Sequence, residues 1–269
     1  MSRASDPIGI FDSGIGGLTV AKAVKGLLPN ESMIYFGDTA HLPYGDKSTA
    51  AIQAYSIKIC DILLKRNCKV ILIACNSASA AATDLVKEYV GKKAKVFNVI
   101  DPVINYIREK YRDTHIGLIG TKQTVISNVY HEKIDALGNA LKLKALATPL
   151  LAPMIEEGFL SGRISQDIIN EYLSRPALME ISALILGCTH YPLIKEQVSK
   201  FFNGAVEVID SSETVAKSLK AYLEYNLLIN QNNKATYEFM VSDYTQSFEE
   251  LTKLFFGELV HLEQFKLWE

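Results

Sequence analysis

Two short apolar runs, each leading to a cysteine, constrain this chain more than any other feature. The first, Val70 to Ala74, reads VILIA and is followed by Cys75-Asn76-Ser77. The second, Ala183 to Leu186, reads ALIL and is followed by Gly187-Cys188-Thr189-His190. Neither run has a polar face, which suits a parallel strand covered by helices on both sides. Polar residues then collect just past the strand's carboxyl end, where open α/β sheets bind ligands. A single buried Cys is ordinarily packing. Two at the same place in the same pattern, 113 residues apart (188 − 75), read as a functional pair.

Other apolar runs extend the pattern. Strands are expected at Ile8–Phe11, Met33–Phe36, Val96–Ile100, Ile116–Ile119, Leu143–Ala147 and Val206–Ile209. Helical spacing is expected from Leu18 to Pro29, Thr49 to Lys65, Ala78 to Tyr89, Val103 to Lys110, past Thr121 to Ile134, and Gln166 to Leu173. Asp101-Pro102 reads as the close of the fourth strand. After Asp210 come a helix from Thr214 to Leu228 and a polar loop from Asn230 to Lys234. A strand at Tyr237–Val241 and a helix at Phe248–Phe256 end the series.

The first and second series repeat. Ile8 and Ile116 are 108 residues apart, Pro43 and Pro153 are 110, and the VID triplets ending at Asp101 and Asp210 are 109. The expected fold class is α/β: two similar doubly wound, flavodoxin-like parallel-sheet halves related by a pseudo-two-fold axis, with the active site in the cleft between them. Residues 1–101 plus 211–269 make the first half and 102–210 the second. The tail is expected to pack back on the first half.

Composition excludes several classes of function. With 28 basic and 30 acidic residues, the net charge of −2 gives no electrostatic case for nucleic acid or a membrane surface. No apolar stretch approaches the ~20 residues that cross a bilayer. The start, MSRASDP, offers no signal-peptide core. Four Cys without a CxxC pair suggest neither a disulfide framework nor a zinc site, and fit a reduced, cytoplasmic protein.

Two thiols facing one cleft from two halves imply a chemistry. One can take a proton from a carbon while the other delivers a proton to its opposite face, which is racemisation or epimerisation. The acting base must be a thiolate, against a reference Cys pKa of about 8.5. Asp12 and His190 are the candidate helpers, although Asp12 also suits an N-cap. Gly14-Ile15-Gly16-Gly17 could cradle an anion at a helix start, but lacks both the P-loop Lys and GxGxxG spacing. Asn76, Ser77 and Thr189 offer short polar groups for a small zwitterion. Tyr44-Gly45 reads as a turn, and Cys60 and Cys68 as packing. A metal or small-molecule binding protein using Cys75, Cys188 and His190 is the alternative from a different class.

The residues also resemble a family, the cofactor-independent glutamate racemases of the aspartate/glutamate racemase superfamily. The matching stretches are FDSGIGGL at Phe11–Leu18, YFGDTAHLPYG at Tyr35–Gly45, ACNSAS at Ala74–Ser79 and GCTHYPL at Gly187–Leu193. Ser77 departs from the family's usual Thr and keeps the hydroxyl. The resemblance implies interconversion of L- and D-glutamate for peptidoglycan, without pyridoxal phosphate, metal or nucleotide, in a homodimer. By the same resemblance Cys75 acts on D-glutamate with Asp12, and Cys188 on L-glutamate with His190. Asp12, Ser13, Tyr44, Gly45, Asn76, Ser77, Thr189 and His190 resemble the substrate-contacting set, and Glu157 an auxiliary acid. A racemase for another amino acid, such as aspartate, would keep both thiols; His190 after Gly187-Cys188-Thr189 favours glutamate.

Overall fold

The structure, a computed structural model, describes residues 3–231 and 234–268. Asn232 and Asn233 of the expected polar loop lie outside them. The chain alternates strand and helix: β1 Ile8–Asp12, α1 Leu18–Leu27, β2 Met33–Gly37, α2 Thr49–Lys65, β3 Val70–Ile73, α3 Asn76–Val90, β4 Lys95–Asn98 and α4 Asp101–Lys110. It continues with β5 His115–Gly120, α5 Lys122–Ile126, α6 Val129–Asp135, β6 Lys142–Ala147, α7 Leu151–Glu156, α8 Arg163–Leu173, β7 Ala183–Gly187, α9 Lys195–Phe201 and β8 Glu207–Asp210. Last come α10 Ser211–Tyr225, β9 Tyr237–Val241, α11 Gln246–Phe256 and β10 Glu263–Gln264.

The strands form two sheets, ordered β10-β9-β2-β1-β3-β4 and β6-β5-β7-β8, and every pairing is parallel. The order β2-β1-β3-β4 of the first sheet thus recurs in the second. The tail extends the first sheet through β9 beside β2, as expected. The central strands β1, β2, β3 and β7 are buried throughout, which is why they read as nearly unbroken apolar runs. In β3, Val70 and Leu72 enter one core while Ile71 and Ile73 enter another with α2 and α3. In β7, Leu184 and Leu186 join the core of Val70 and Leu72, while Ala183 and Ile185 pack with α4 and α6. Helix α10 carries the chain back between the sheets and buries Val215, Ala216, Leu219 and Leu223 in that shared core.

Several expectations are corrected at element ends. Asn76 and Ser77 form the first turn of α3, and Asp101-Pro102 open α4 rather than close β4. The helix expected past Thr121 is two, α5 and α6, broken at Asn128 in the left-handed region (φ 62°). The VID triplets are not structural equivalents. Ile73 pairs with Asn98 and Leu186 with Asp210, so Asn98 and Asp210 correspond, 112 residues apart (210 − 98). Both carry a side-chain oxygen that accepts a main-chain N–H at the start of the next helix, Asn98 from Ile100 and Asp101 and Asp210 from Ser212, each at 2.8 Å.

At the opposite end of the first sheet, Lys69 and Glu31 form an ion pair, each 1% exposed. The Lys69 ammonium also donates to the carbonyls of Ala4 and Leu228, and Glu31 accepts the Asn230 N–H at 2.8 Å. The pair ties the N-terminal segment and the chain leading into β9 to the start of β3. Lys69→Met leaves a buried carboxylate without its cation and should cost about 3–5 kcal/mol, measured by urea unfolding. A loss under about 1 kcal/mol would mean that the pair does not hold this edge together.

Candidate active site

The strands' carboxyl ends meet at a cavity of about 190 Å³ between the two sheets. Asp12 ends β1 and is wholly buried. Its Oδ2 accepts the Gly14 N–H at 3.0 Å, and the Ser13 and Gly17 N–H groups also turn toward the carboxylate. The glycine loop therefore closes on the chain's own carboxylate, not on a free anion. Asp12 does not cap α1, whose N-cap position is Gly17 with no side-chain bond. A Cβ on Gly17 would lie 2.5 Å from the Asp12 Cβ, and one on Gly16 would lie 2.3 Å from His190 Cε1. Only residues without side chains let the first-half loop approach so closely. Burial raises the Asp12 carboxyl's pKa, and His190 and the loop N–H groups only partly offset it. Its Oδ1 has no hydrogen-bond partner among the described residues.

Cys75 is the N-cap of α3, its Sγ accepting the Ala78 N–H at 3.4 Å and lying 3.6 Å from Ser13 Oγ. Those contacts and the helix terminus favour the thiolate. Burial opposes it more strongly, and the nearby Asp12 and Cys188 charges add to the opposition. The thiol is pushed up to about 12. At rest Cys75 is therefore a proton donor that needs a base to ionise, and the buried carboxyl of Asp12 adjoins it.

Cys188 follows β7, and its Sγ lies 3.6 Å from His190 Nδ1. His190 Nε2 in turn meets Glu156 Oε1 at 2.8 Å. Burial lowers the imidazolium's pKa, but Cys188 and Glu156 outweigh it and hold the ring up at about 10. The second half thus sets a cysteine beside an imidazole held toward its charged form, where the first sets a thiol beside a carboxyl.

Ser13, Tyr44, Gly45, Asn76 and Ser77 line the cavity from the first half, with Cys75. Thr189 and His190 line it from the second, with Cys188. Asp12 lies outside the lining. Glu157 is exposed just past α7 and outside the lining, whereas its neighbour Glu156 lines the cavity. Thr121, at the end of β5, also lines it and went unrecognised in the sequence, although its strand-end position matches that of Ser13 near β1. Its hydroxyl meets that of Ser77 at 2.9 Å across the two halves.

The wall at Leu42–Gly45 is anchored from behind. Buried Asp38 accepts from Tyr44 OH at 2.6 Å and Ser242 Oγ at 2.7 Å, and meets His41 Nδ1 at 2.7 Å. Farther out, Lys122 pairs with Asp46 at 3.3 Å and Gln123 donates to Thr49 at 3.1 Å, again across the halves. A wider groove of about 620 Å³, between α2 and the C-terminal segment, has charged groups that pair locally, Lys65 with Asp61 and Arg66 with Glu238. Among the described residues no cluster of three or more His, Cys, Asp or Glu could hold a metal, and no helix is long and apolar enough to cross a membrane.

This constellation has known counterparts. Residues 19–219 match the model of the Asp/Glu/hydantoin racemase family. The chain is 42% identical over 252 residues to a glutamate racemase of Chlorobaculum parvum, covering 93% of this chain and 92% of that one. It is 39% identical over 254 residues to a glutamate racemase of Aquifex aeolicus, covering 94% and 95%. The fold superimposes on the glutamate racemase of Francisella tularensis in complex with D-glutamate with a TM-score of 0.92, at 39% identity over 98% of this chain and 99% of that one. An aspartate racemase of Picrophilus torridus shares the fold at a TM-score of 0.56 and 19% identity, over 83% of this chain and 99% of that one. The chain belongs to the Asp/Glu/hydantoin racemase family, in its glutamate racemase branch.

Proposed function

We propose that the cavity interconverts L- and D-glutamate by two-base proton transfer at Cα, without a cofactor. The observation that carries this reading is that Cys75 and Cys188, from equivalent strand ends of the two sheets, line one cavity. In this scheme Cys188 acts as the thiolate beside the His190 imidazolium and removes the Cα proton of L-glutamate. The Cys75 thiol delivers a proton to the opposite face and becomes a thiolate. Donors around the cavity offset the negative charge that develops on the carboxylate. In the reverse direction the Asp12 carboxylate accepts the Cys75 proton, the Cys75 thiolate takes the Cα proton of D-glutamate, and the Cys188 thiol delivers its proton to the opposite face. Glu156 orients His190 through Nε2, so that Nδ1 faces the sulfur.

The glutamate racemase names of the relatives support glutamate over aspartate. The role follows as D-glutamate supply for peptidoglycan in the cytoplasm, by a homodimer. Residues 1–101 with 211–269 and residues 102–210 act as the two bodies that close on substrate; their separate sheets support that division.

Cys75→Ser and Cys188→Ser should each lower racemisation by at least about 10²–10⁴-fold, because a hydroxyl is a far weaker acid than a thiol. Cys60→Ser, in α2 and outside the cavity, should leave it near wild type. Circular dichroism of glutamate during turnover measures all three, and equal losses would assign the cysteines to stability rather than chemistry.

In heavy water, D-glutamate formed from L-glutamate should carry deuterium at Cα from the earliest time points. The proton removed stays on one sulfur, and the incoming one comes from a sulfur already exchanged with solvent. Proton NMR at low conversion reads this, and substantial protium in early D-glutamate would rule out two bases.

A further inference from the structure

Asn76 is the cavity residue whose chemistry is ambiguous by nature, because a carboxamide presents an acceptor at one end and two donors at the other. Here one end is taken. Tyr130, in α6 of the second half, donates its hydroxyl to Asn76 Oδ1 at 2.9 Å, and the two residues are 1% and 2% exposed. Asn76 Nδ2 is buried and has no hydrogen-bond partner among the described residues, in a residue that lines the cavity. A buried unpartnered donor is costly unless something arrives to accept from it. Burial, with Asp101 adding to it, raises the Tyr130 pKa, so its hydroxyl keeps the proton it donates.

We propose that Tyr130 is a positioning residue that fixes the Asn76 amide with its NH₂ toward the cavity, making it a subsite for a substrate carboxylate. The proposal rests on the reading that the cavity takes glutamate, and adds how one subsite acquires its sign. With Oδ1 engaged, Asn76 offers donors to the cavity and no acceptor, which suits a carboxylate and disfavours an ammonium group. Without the Tyr130 hydroxyl, the amide is free to turn its oxygen inward. The bond also crosses the halves, so the subsite is complete when α6 lies against the start of α3.

Tyr130→Phe removes one oxygen and keeps the ring. It should raise KM for both glutamate enantiomers about tenfold, the size of one buried hydrogen bond, with kcat within about twofold because the contact is made equally before and during proton transfer. Competitive inhibition by glutarate, a dicarboxylate without the amine, should weaken by the same factor. In an Asn76→Ala background the Tyr130 change should have no further effect on kcat/KM, since the residue acts through Asn76. A merely structural role would instead lower the melting temperature and act independently of Asn76. Unchanged KM in Tyr130→Phe, or additive effects in the double variant, would overturn the proposal. Absence of glutamate racemisation by the wild-type enzyme would remove the functional reading, and the proposal would fall with it.

Discussion

The site depends on one constraint: a parallel strand packed by helices on both faces cannot carry a polar side chain until it ends. β3 and β7 obey this, with every residue from Val70 to Ile73 and from Ala183 to Gly187 buried. Polar groups are pushed to the carboxyl edge, where the next helix begins. Because both sheets use the same strand order, their edges present thiols at matching points two residues past Ile73 and Leu186. The shared core around α10 keeps the sheets close enough for those edges to enclose one cavity.

The two edges are not electrostatically alike. On the first, burial dominates and raises the pKa of both Cys75 and Asp12. On the second, His190 is driven toward its charged form by the sulfur and by Glu156, against the effect of burial. The proposed two-base transfer needs one thiol and one thiolate at a time, and the unlike surroundings of the two cysteines suit that inequality. The glycine loop contributes by spending its N–H groups on Asp12, which keeps a wholly buried carboxyl hydrogen-bonded on one side and unpartnered on the other.

Much of this was legible in the sequence because buried strands leave a plain record, and the two cysteines mark where the record ends. What the sequence concealed lies where side-chain direction decides the outcome. Glu156 and Glu157 are neighbours at the end of a six-residue helix that contains a proline, and only the helix phase tells which reaches His190. Tyr130 was hidden by the left-handed Asn128, which breaks the expected helix and resets its phase. The VID triplets misled for a different reason. Apolar pairs before an aspartate are common at strand ends, whereas the true equivalence of Asn98 and Asp210 is one of hydrogen bonding between residues that differ in name.

The contacts across the halves have a consequence for traffic. Cys75 and Cys188 are 5% and 6% exposed, so the walls leave little room for a zwitterion to pass. The Ser77–Thr121, Asp46–Lys122 and Thr49–Gln123 contacts all span that boundary. Under the proposed reaction, a motion that parts the halves would have to break them. They would then work as a toll gate, and the time the gate takes to swing would count in each passage of substrate.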